Sequence, residues 1–302
     1  MKLYRQKFVS MGCPCEIGIF NADAGAARLA MDGAEYEVHR LDQKYSHFRN
    51  DSFITRLQTS ARRPQGTHVD TETSALLDYA ETQFKLSGGL FDVTAGRLAR
   101  LWQECKSLPS PTKLCDALQN TGWKKLQWKK QRLVMPVGME LEFGGLVKEY
   151  AADRAALILK RRKISSAFIE LGGDIHVIGP PPDGEPWNMG IRKPDYQHES
   201  RDKVFANIPI FVGGLATSGD YERSALIDGK RYGHIINPKT GRPVNSFQSV
   251  SVVAPSCLLA GSISTMSMLL GQSAGLDMLQ TTGFNWLAQT TDGEIHTEPV
   301  EE

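Results

Sequence analysis

Apolar residues recur along this chain at two spacings, and the dominant spacing changes near residue 165. Before that point the step is three or four, the period of a helix with one buried face. Residues 24–45 place Ala30, Ala34, Val38, Leu41 and Tyr45 on one side. Residues 72–87 do the same with Leu76, Leu77, Ala80 and Phe84, and Gly88-Gly89 stop that helix. A third helix opens at Gly144-Gly145 and runs to about Arg162, with Leu146, Ala151, Ala155 and Ile158 facing inward. Weak alternation over residues 3–20 predicts strands. Residues 89–102 read as a turn leading into a short amphipathic segment. Residues 103–131 are polar and carry Pro109 and Pro111, which predicts a variable surface excursion, helical after Thr112. Residues 132–143 predict two short strands joined near Pro136–Gly138.

Beyond residue 165 the period falls to two. Short strands are predicted at 166–171, 174–178, 187–192, 203–216, 232–236, 248–254 and 285–290, separated by Gly, Pro and Asp turns. Leu258–Leu270 and Ser273–Gln280 predict helices. No internal repeat, low-complexity tract or interdomain linker interrupts the pattern. The mixture predicts an α+β fold with helices packed on largely antiparallel sheets. With 302 residues, 41% of them hydrophobic, the chain can bury one large core. One domain over residues 1–302 is expected, with two fused lobes as the alternative.

Charge narrows the partners. The formal net charge is +1, which gives no electrostatic case for nucleic acid or an anionic membrane. The basic runs Lys124–Lys130 and Lys160–Lys163 read as solvated faces, the second complementing a helix dipole. No stretch approaches the roughly 18 apolar residues of a membrane helix. The start, Met1-Lys2-Leu3-Tyr4, has no apolar core of a signal peptide, so a cytoplasmic protein is expected. The five cysteines suggest no disulfide framework and read as reduced, structural thiols.

Five segments carry candidate chemistry. Gly172-Gly173-Asp174 lets backbone approach a ligand, with Asp174 to orient amides or bind a ribose hydroxyl; a tight turn between strands explains it as well. Thr217-Ser218-Gly219-Asp220-Tyr221 offers hydroxyls to a phosphate, or simply caps a turn. His234 precedes the turn Lys239-Thr240-Gly241 and can serve as a base or bind a phosphate oxygen. Lys148 lies one turn into a helix whose free amides favour an anion. Thr265, after Ala260, is read as a hydroxyl near a helix start. Each is weak alone; together and in this order they are specific.

In that order they resemble the ApbE family, the FAD:protein FMN transferases, over nearly the whole chain. Gly89-Leu90-Phe91-Asp92-Val93-Thr94 is similar to the family's G-x-F-D-x-T, and Lys148-Glu149-Tyr150-Ala151-Ala152-Asp153 to its K-G-Y-A-x-D. Met11-Gly12, the segment Tyr45–Ser52, the G-G-D and T-S-G-D-Y signatures and an H-I-I-N-P-x-T-G run complete the likeness, the last with Asn237 for Asp. The resemblance implies a T-fold-like architecture with an FAD cleft. It implies cleavage of FAD at its pyrophosphate, transfer of FMN to a Thr or Ser of an acceptor flavoprotein, and release of AMP with Mg²⁺. By position, Met11, Phe48, Leu90, Phe91, Asp92, Glu142, Lys148 and Ile235 line the FAD site. The carbonyl of Gly145 and the hydroxyl of Thr265 face Mg²⁺, and His234 is the candidate base.

The family's metal helix reads A-D-x-x-x-T, whereas this one reads Ala260-Gly261-Ser262-Ile263-Ser264-Thr265. The family often has a second Asp just before the Thr, where Ser264 stands here, so the carboxylates that Mg²⁺ prefers are absent at 261 and 264, and Glu149 replaces the glycine after Lys148. Glu149, Asp174 and Asp220 are the candidates to supply one from elsewhere. Transfer of FMN is the first functional expectation. A degenerate FAD binder acting as flavin carrier, favoured by Gly261, is the second, and hydrolysis of FAD without an acceptor the third.

Overall fold

The computed structural model describes residues 1–47, 49–192, 204–219 and 224–298. Phe48, Asp220 and Tyr221 therefore lie outside the described residues. The chain opens with a hairpin, β1 (Lys2–Ser10) and β2 (Cys13–Asn21), followed by α1 (Ala24–Tyr45) and α2 (Phe53–Ala61). Then come β3 (Thr67–His68), α3 (Thr71–Leu86), α4 (Gly96–Glu104), α5 (Pro111–Gln119), β4 (Gln127–Lys129), β5 (Arg132–Val134) and α6 (Gly144–Arg161). The β-rich part holds β6 (Ala167–Leu171), β7 (Asp174–Gly179), β8 (Trp187–Arg192), β9 (Val204–Ile210), β10 (Gly213–Gly219), β11 (Ser224–Ile227), β12 (Lys230–Gly233), β13 (Ile236–Asn237), β14 (Arg242–Pro243) and β15 (Phe247–Ala254). The described chain ends with α7 (Cys257–Leu270), α8 (Gln272–Thr281), β16 (Trp286–Thr290) and β17 (Ile295–Thr297).

Eight strands form the main sheet in the order β1-β2-β6-β7-β10-β15-β16-β17. Every neighbouring pair in it is antiparallel, in line with the predicted class. Period-two alternation sorts the two faces. Ala167, Ile169 and Leu171 point with Ile17 and Ile19 into the main core, against Ala30, Ala34 and Val38 of α1 and Ala151, Ala152 and Ala155 of α6. Alanines at these steps let the two helices lie close together and close to the sheet. Phe168, Ile175, Val177 and Leu215 point the other way, where Trp187, Met189 and Ile210 of the β8–β9 hairpin cover them.

Caps set the helix starts. The side chains of Asp23, Ser52, Asp70, Ser110 and Ser256 each accept from an amide of the first turn. Ser52 thus begins α2, an element the apolar spacing did not predict. Ser256 begins α7 at Cys257, which corrects the expectation of a helix start near Ala260: Thr265 lies in the middle of that helix. Two further expectations change. Of the two strands predicted over 132–143 only β5 forms. Past Pro136 the backbone bonds elsewhere: Leu141 N to Gln58 Oε1 (2.8 Å), Glu142 N to Val93 O (2.7 Å). The polar excursion 103–131 is anchored, because Ala117, Trp123 and Leu126 are buried.

Two polar ties fasten the helices that matter for the site. Arg40 of α1 donates to Glu37 (2.8 Å) and to Glu72 of α3 (2.6 Å); Lys44 reaches Glu72 (2.8 Å), and Arg154 of α6 reaches Glu37 (3.0 Å). Asp153 of α6 accepts from the amides of Cys257 (2.8 Å) and Leu258 (3.0 Å), the free donors at the start of α7, and pairs with His176 Nδ1 of β7 (2.6 Å). The second acidic residue of the K-E-Y-A-A-D segment, Asp153, is thus a cap that joins α6, α7 and the sheet.

Removing that cap with Asp153→Ala is expected to cost about 1–3 kcal/mol, since two amides at the start of α7 lose their acceptor; an unchanged urea midpoint would refute it. Glu72 gives a second expectation. Burial opposes its charge, but hydrogen bonds from Arg40 and Lys44 outweigh it and hold its carboxyl down at about 2. The depressed value stabilises the fold above the ordinary carboxylate range, and the gain is lost as pH falls through about 2. The stability difference between wild type and Glu72→Gln, on the order of 2–3 kcal/mol at pH 7, should therefore shrink as the unfolding titration is repeated at pH 4, 3 and 2.5.

Candidate functional site

The floor of the site comes from the β6–β7 hairpin. Gly172 and Gly173 take φ of +59° and +94°, values that L side chains adopt only with strain, and they let Leu171 pair directly with Asp174. The Glu170 carboxylate accepts from Gly173 N (2.8 Å) and secures the turn, while burial raises its pKa. Asp174 is thereby placed at the foot of β7, almost wholly buried. Its Oδ2 takes the Lys148 ammonium at 2.6 Å and its Oδ1 accepts from Thr217 N at 3.1 Å. Of the two uses suggested for Asp174, orientation of an amide is the one this geometry displays.

The start of α6 forms one wall. Phe143 at its cap position supplies no side-chain acceptor, so the first amides meet Glu142 and the cleft: Gly144 N donates to Glu142 Oε1 at 2.5 Å. His47 Nδ1 lies 3.4 Å from the same oxygen. Lys148 follows one turn later, at Asp174, and Glu149 turns toward α7. Glu149 is 6% exposed and its Oε2 has no hydrogen-bond partner. Burial first, and then the neighbouring Asp174 carboxylate, push its carboxyl up to about 8.

The opposite wall is α7 against β10. Ser218 Oγ lies 2.8 Å from Ser264 Oγ and 2.9 Å from Thr265 Oγ1, so three hydroxyls meet where the G-D-Y signature leaves its strand. Thr217 Oγ1 pairs with Ser251 Oγ (2.8 Å) on β15. The remaining parts of that signature, from Asp220, lie outside the described residues.

Loops close the rim. Ser87 Oγ accepts from Leu90 N (3.1 Å) and Phe91 N (2.8 Å), and Asp92 accepts from Thr94 N (2.9 Å) and Trp123 N (2.9 Å). Asp92 thus shapes the loop that presents Leu90 and Phe91. Met11 adopts a positive φ of 53° in the β1–β2 turn, its amide donating to Asp42 Oδ2 (2.9 Å). His234 is exposed in the bend between β12 and β13, and Ile235 beside it is buried. Asn237 Oδ1 accepts from Lys239 N (2.9 Å) and Thr240 N (3.3 Å), an acceptor role that asparagine fills as well as aspartate. Trp102 Nε1 donates to Gly241 O (2.7 Å), pinning this turn to α4.

These parts surround one cleft of about 1080 Å³. Met11, Leu90, Phe91, Asp92, Glu142, Gly145, Lys148, His234, Ile235 and Thr265 all line it, together with Glu149, Asp174 and Ser218. Phe48 lies outside the described residues. Sequence reasoning passed over Arg192 and gave His47 no role, and both line the cleft; neither sits in a spaced pattern that would have marked it. Among the described residues no group of three His, Cys, Asp or Glu side chains is placed to hold a metal ion. A cation here would draw on the Glu149 carboxylate, hydroxyls, backbone carbonyls and the oxygens of a phosphate ligand. No helix among the described residues is long and apolar enough to cross a membrane.

Residues 11–287 match the ApbE family. The chain is 28% identical to the FAD:protein FMN transferase of Salmonella typhimurium, over 94% of this chain and 83% of the relative. It is 30% identical to the protein of the same description from Vibrio cholerae, over 85% of this chain and 78% of the relative. Among solved structures it superposes on the ApbE protein of Thermotoga maritima with a TM-score of 0.89 at 29% identity, covering 98% of this chain and 97% of that one. The flavin transferase ApbE of Vibrio cholerae follows at a TM-score of 0.86 and 26% identity, with 98% and 97% covered. A cleft assembled from the ordered signatures, on a fold shared with these proteins along almost its full length, places the chain in the ApbE family.

Proposed function

We propose that this protein is an FAD:protein FMN transferase, built as one unit over its length. The observation that carries the reading is the convergence of a helix start, a lysine, a hydroxyl cluster and an exposed histidine on one cleft large enough for a dinucleotide. An apolar rim of Met11, Leu90, Phe91 and Ile235 suits the isoalloxazine ring, and the start of α6, where the helix dipole favours an anion, suits the pyrophosphate. Lys148 adds positive charge, steadied by Asp174.

The chemistry is a displacement at phosphorus. The hydroxyl oxygen of an acceptor Thr or Ser forms a bond to the FMN phosphorus as the bond to the AMP oxygen breaks, and AMP leaves. His234, at the mouth where an acceptor segment would enter, takes the hydroxyl proton. Such a transfer is governed by positioning and charge neutralisation. The donor set fits Mg²⁺, because the buried Glu149 Oε2 lacks a partner and hydroxyls face the same cleft. Bound there, a divalent cation would neutralise charge on the pyrophosphate. Glu149, Thr265, Ser218 and the Gly145 carbonyl are the residues that would hold it.

Incubation with FAD, Mg²⁺ and an acceptor flavoprotein bearing a Ser or Thr site should release AMP and add the mass of FMN to the acceptor. FAD retained without AMP would mark a flavin binder, and AMP with free FMN but no labelling a hydrolase; either would overturn the transferase reading. In the same assay His234→Ala should lower the transfer rate by about 100-fold or more while FAD binding, followed by flavin fluorescence, is retained. Loss of FAD binding instead would assign His234 to the ligand and not to the proton.

A further inference from the structure

Two departures from the family pattern, Glu149 and Gly261, stand far apart in sequence and meet in space. A Cβ placed on Gly261 would lie 2.6 Å from Glu149 Cγ, 2.8 Å from Glu149 Oε1 and 3.0 Å from Glu149 Cδ. Real Cβ atoms do not approach other atoms that closely, so a side chain at 261 would need the Glu149 side chain to move from the place it takes here. The absence of a side chain at 261 and the presence of one at 149 are therefore a single packing arrangement across the α6–α7 seam.

That arrangement puts an acid where burial alone gives it no reason to be. Glu149 is almost fully buried, and its Oε2 has neither solvent nor a hydrogen-bond donor. A buried carboxylate oxygen without a partner is costly. Glu149 belongs to the lining of the same cleft as Gly145, Ser218 and Thr265. Of the other carboxylates suggested for this role, Asp174 already spends both oxygens on Lys148 and Thr217, and Asp220 lies outside the described residues. Mg²⁺ needs few protein carboxylates, since it keeps waters and takes substrate phosphate oxygens. One well-placed acid suffices.

We infer that Glu149 is the carboxylate ligand of the divalent cation, delivered from α6 into the place that a residue-261 side chain on α7 would otherwise occupy. The inference rests on the metal-assisted reading above. It also changes what Gly261→Asp tests: the new side chain would collide with Glu149, so that variant alone is not a restoration.

The test is Mn²⁺ binding by the full-length protein, with and without FAD, read from the loss of the free-ion EPR signal and not from turnover. Glu149→Gln keeps the volume and removes the charge, and should weaken Mn²⁺ about tenfold or more. Gly261→Asp alone should bind no more tightly than wild type and should melt lower. The exchange Glu149→Gly with Gly261→Asp should recover binding to within about threefold of wild type, because the acid returns to the cleft from the other helix. Circular dichroism of each variant separates lost binding from lost folding. Wild-type affinity in Glu149→Gln, or an exchange variant that folds but stays as weak as Glu149→Gln, would overturn the inference. Absence of Mn²⁺ binding in the wild type, with FAD or without, would instead defeat the metal-assisted reading on which it rests.

Discussion

Two amides at the start of α7 end on the carboxylate of Asp153, and the cleft depends on that contact. Helix starts leave donors that must be met, and here they are met by a residue of another helix. The bond fixes α7 against α6 at one end and, through His176, fixes both to β7. Once this corner is set, every site group on the two helices follows from helical geometry. Lys148 and Glu149 lie about one turn before Asp153, and Gly261, Ser264 and Thr265 lie about one and a half to two and a half turns after the cap. The small side chains along α6 and the missing one at Gly261 then allow the helices to approach closely enough for Glu149 to reach across.

The sheet adds the second constraint. Its antiparallel register brings the foot of β7 beside the end of β10, so Asp174 can hold the Thr217 amide while Ser218 meets α7. The β6–β7 turn has only two residues, both glycine at positive φ, and this short turn keeps Asp174 beneath Lys148. Rim and floor are thus built differently. The floor is held by strands and helices, whereas the rim is held by side chains such as Ser87, Asp92 and Asn237 that organise loop backbone. A division of this kind suits a site that must bind one dinucleotide rigidly and also admit a segment of another protein.

Much of the fold was legible along the chain. The spacing of Ala30, Ala34, Val38 and Leu41 defined α1 because one face of that helix is wholly buried. The alternation beyond residue 165 reported strands with two unlike faces. Helix α2 escaped notice because its signal is a capping serine and not a long apolar stripe. The second strand expected before Gly144 failed because Pro136 interrupts the ladder and Gln58 and Val93 take the amides that would have entered it.

The sequence by itself determined the class of fold, the order of the signatures and a part of the set of residues that line the cleft. These are local properties, carried by periodicity, caps and turn chemistry within a few residues. It also exposed the glycine at 261 and the acid at 149 as two separate departures. Only the tertiary structure decided that they are one. Whether a side chain at one position excludes a side chain at another is a matter of volume at a helix–helix contact, and that volume exists only after α6 and α7 have packed.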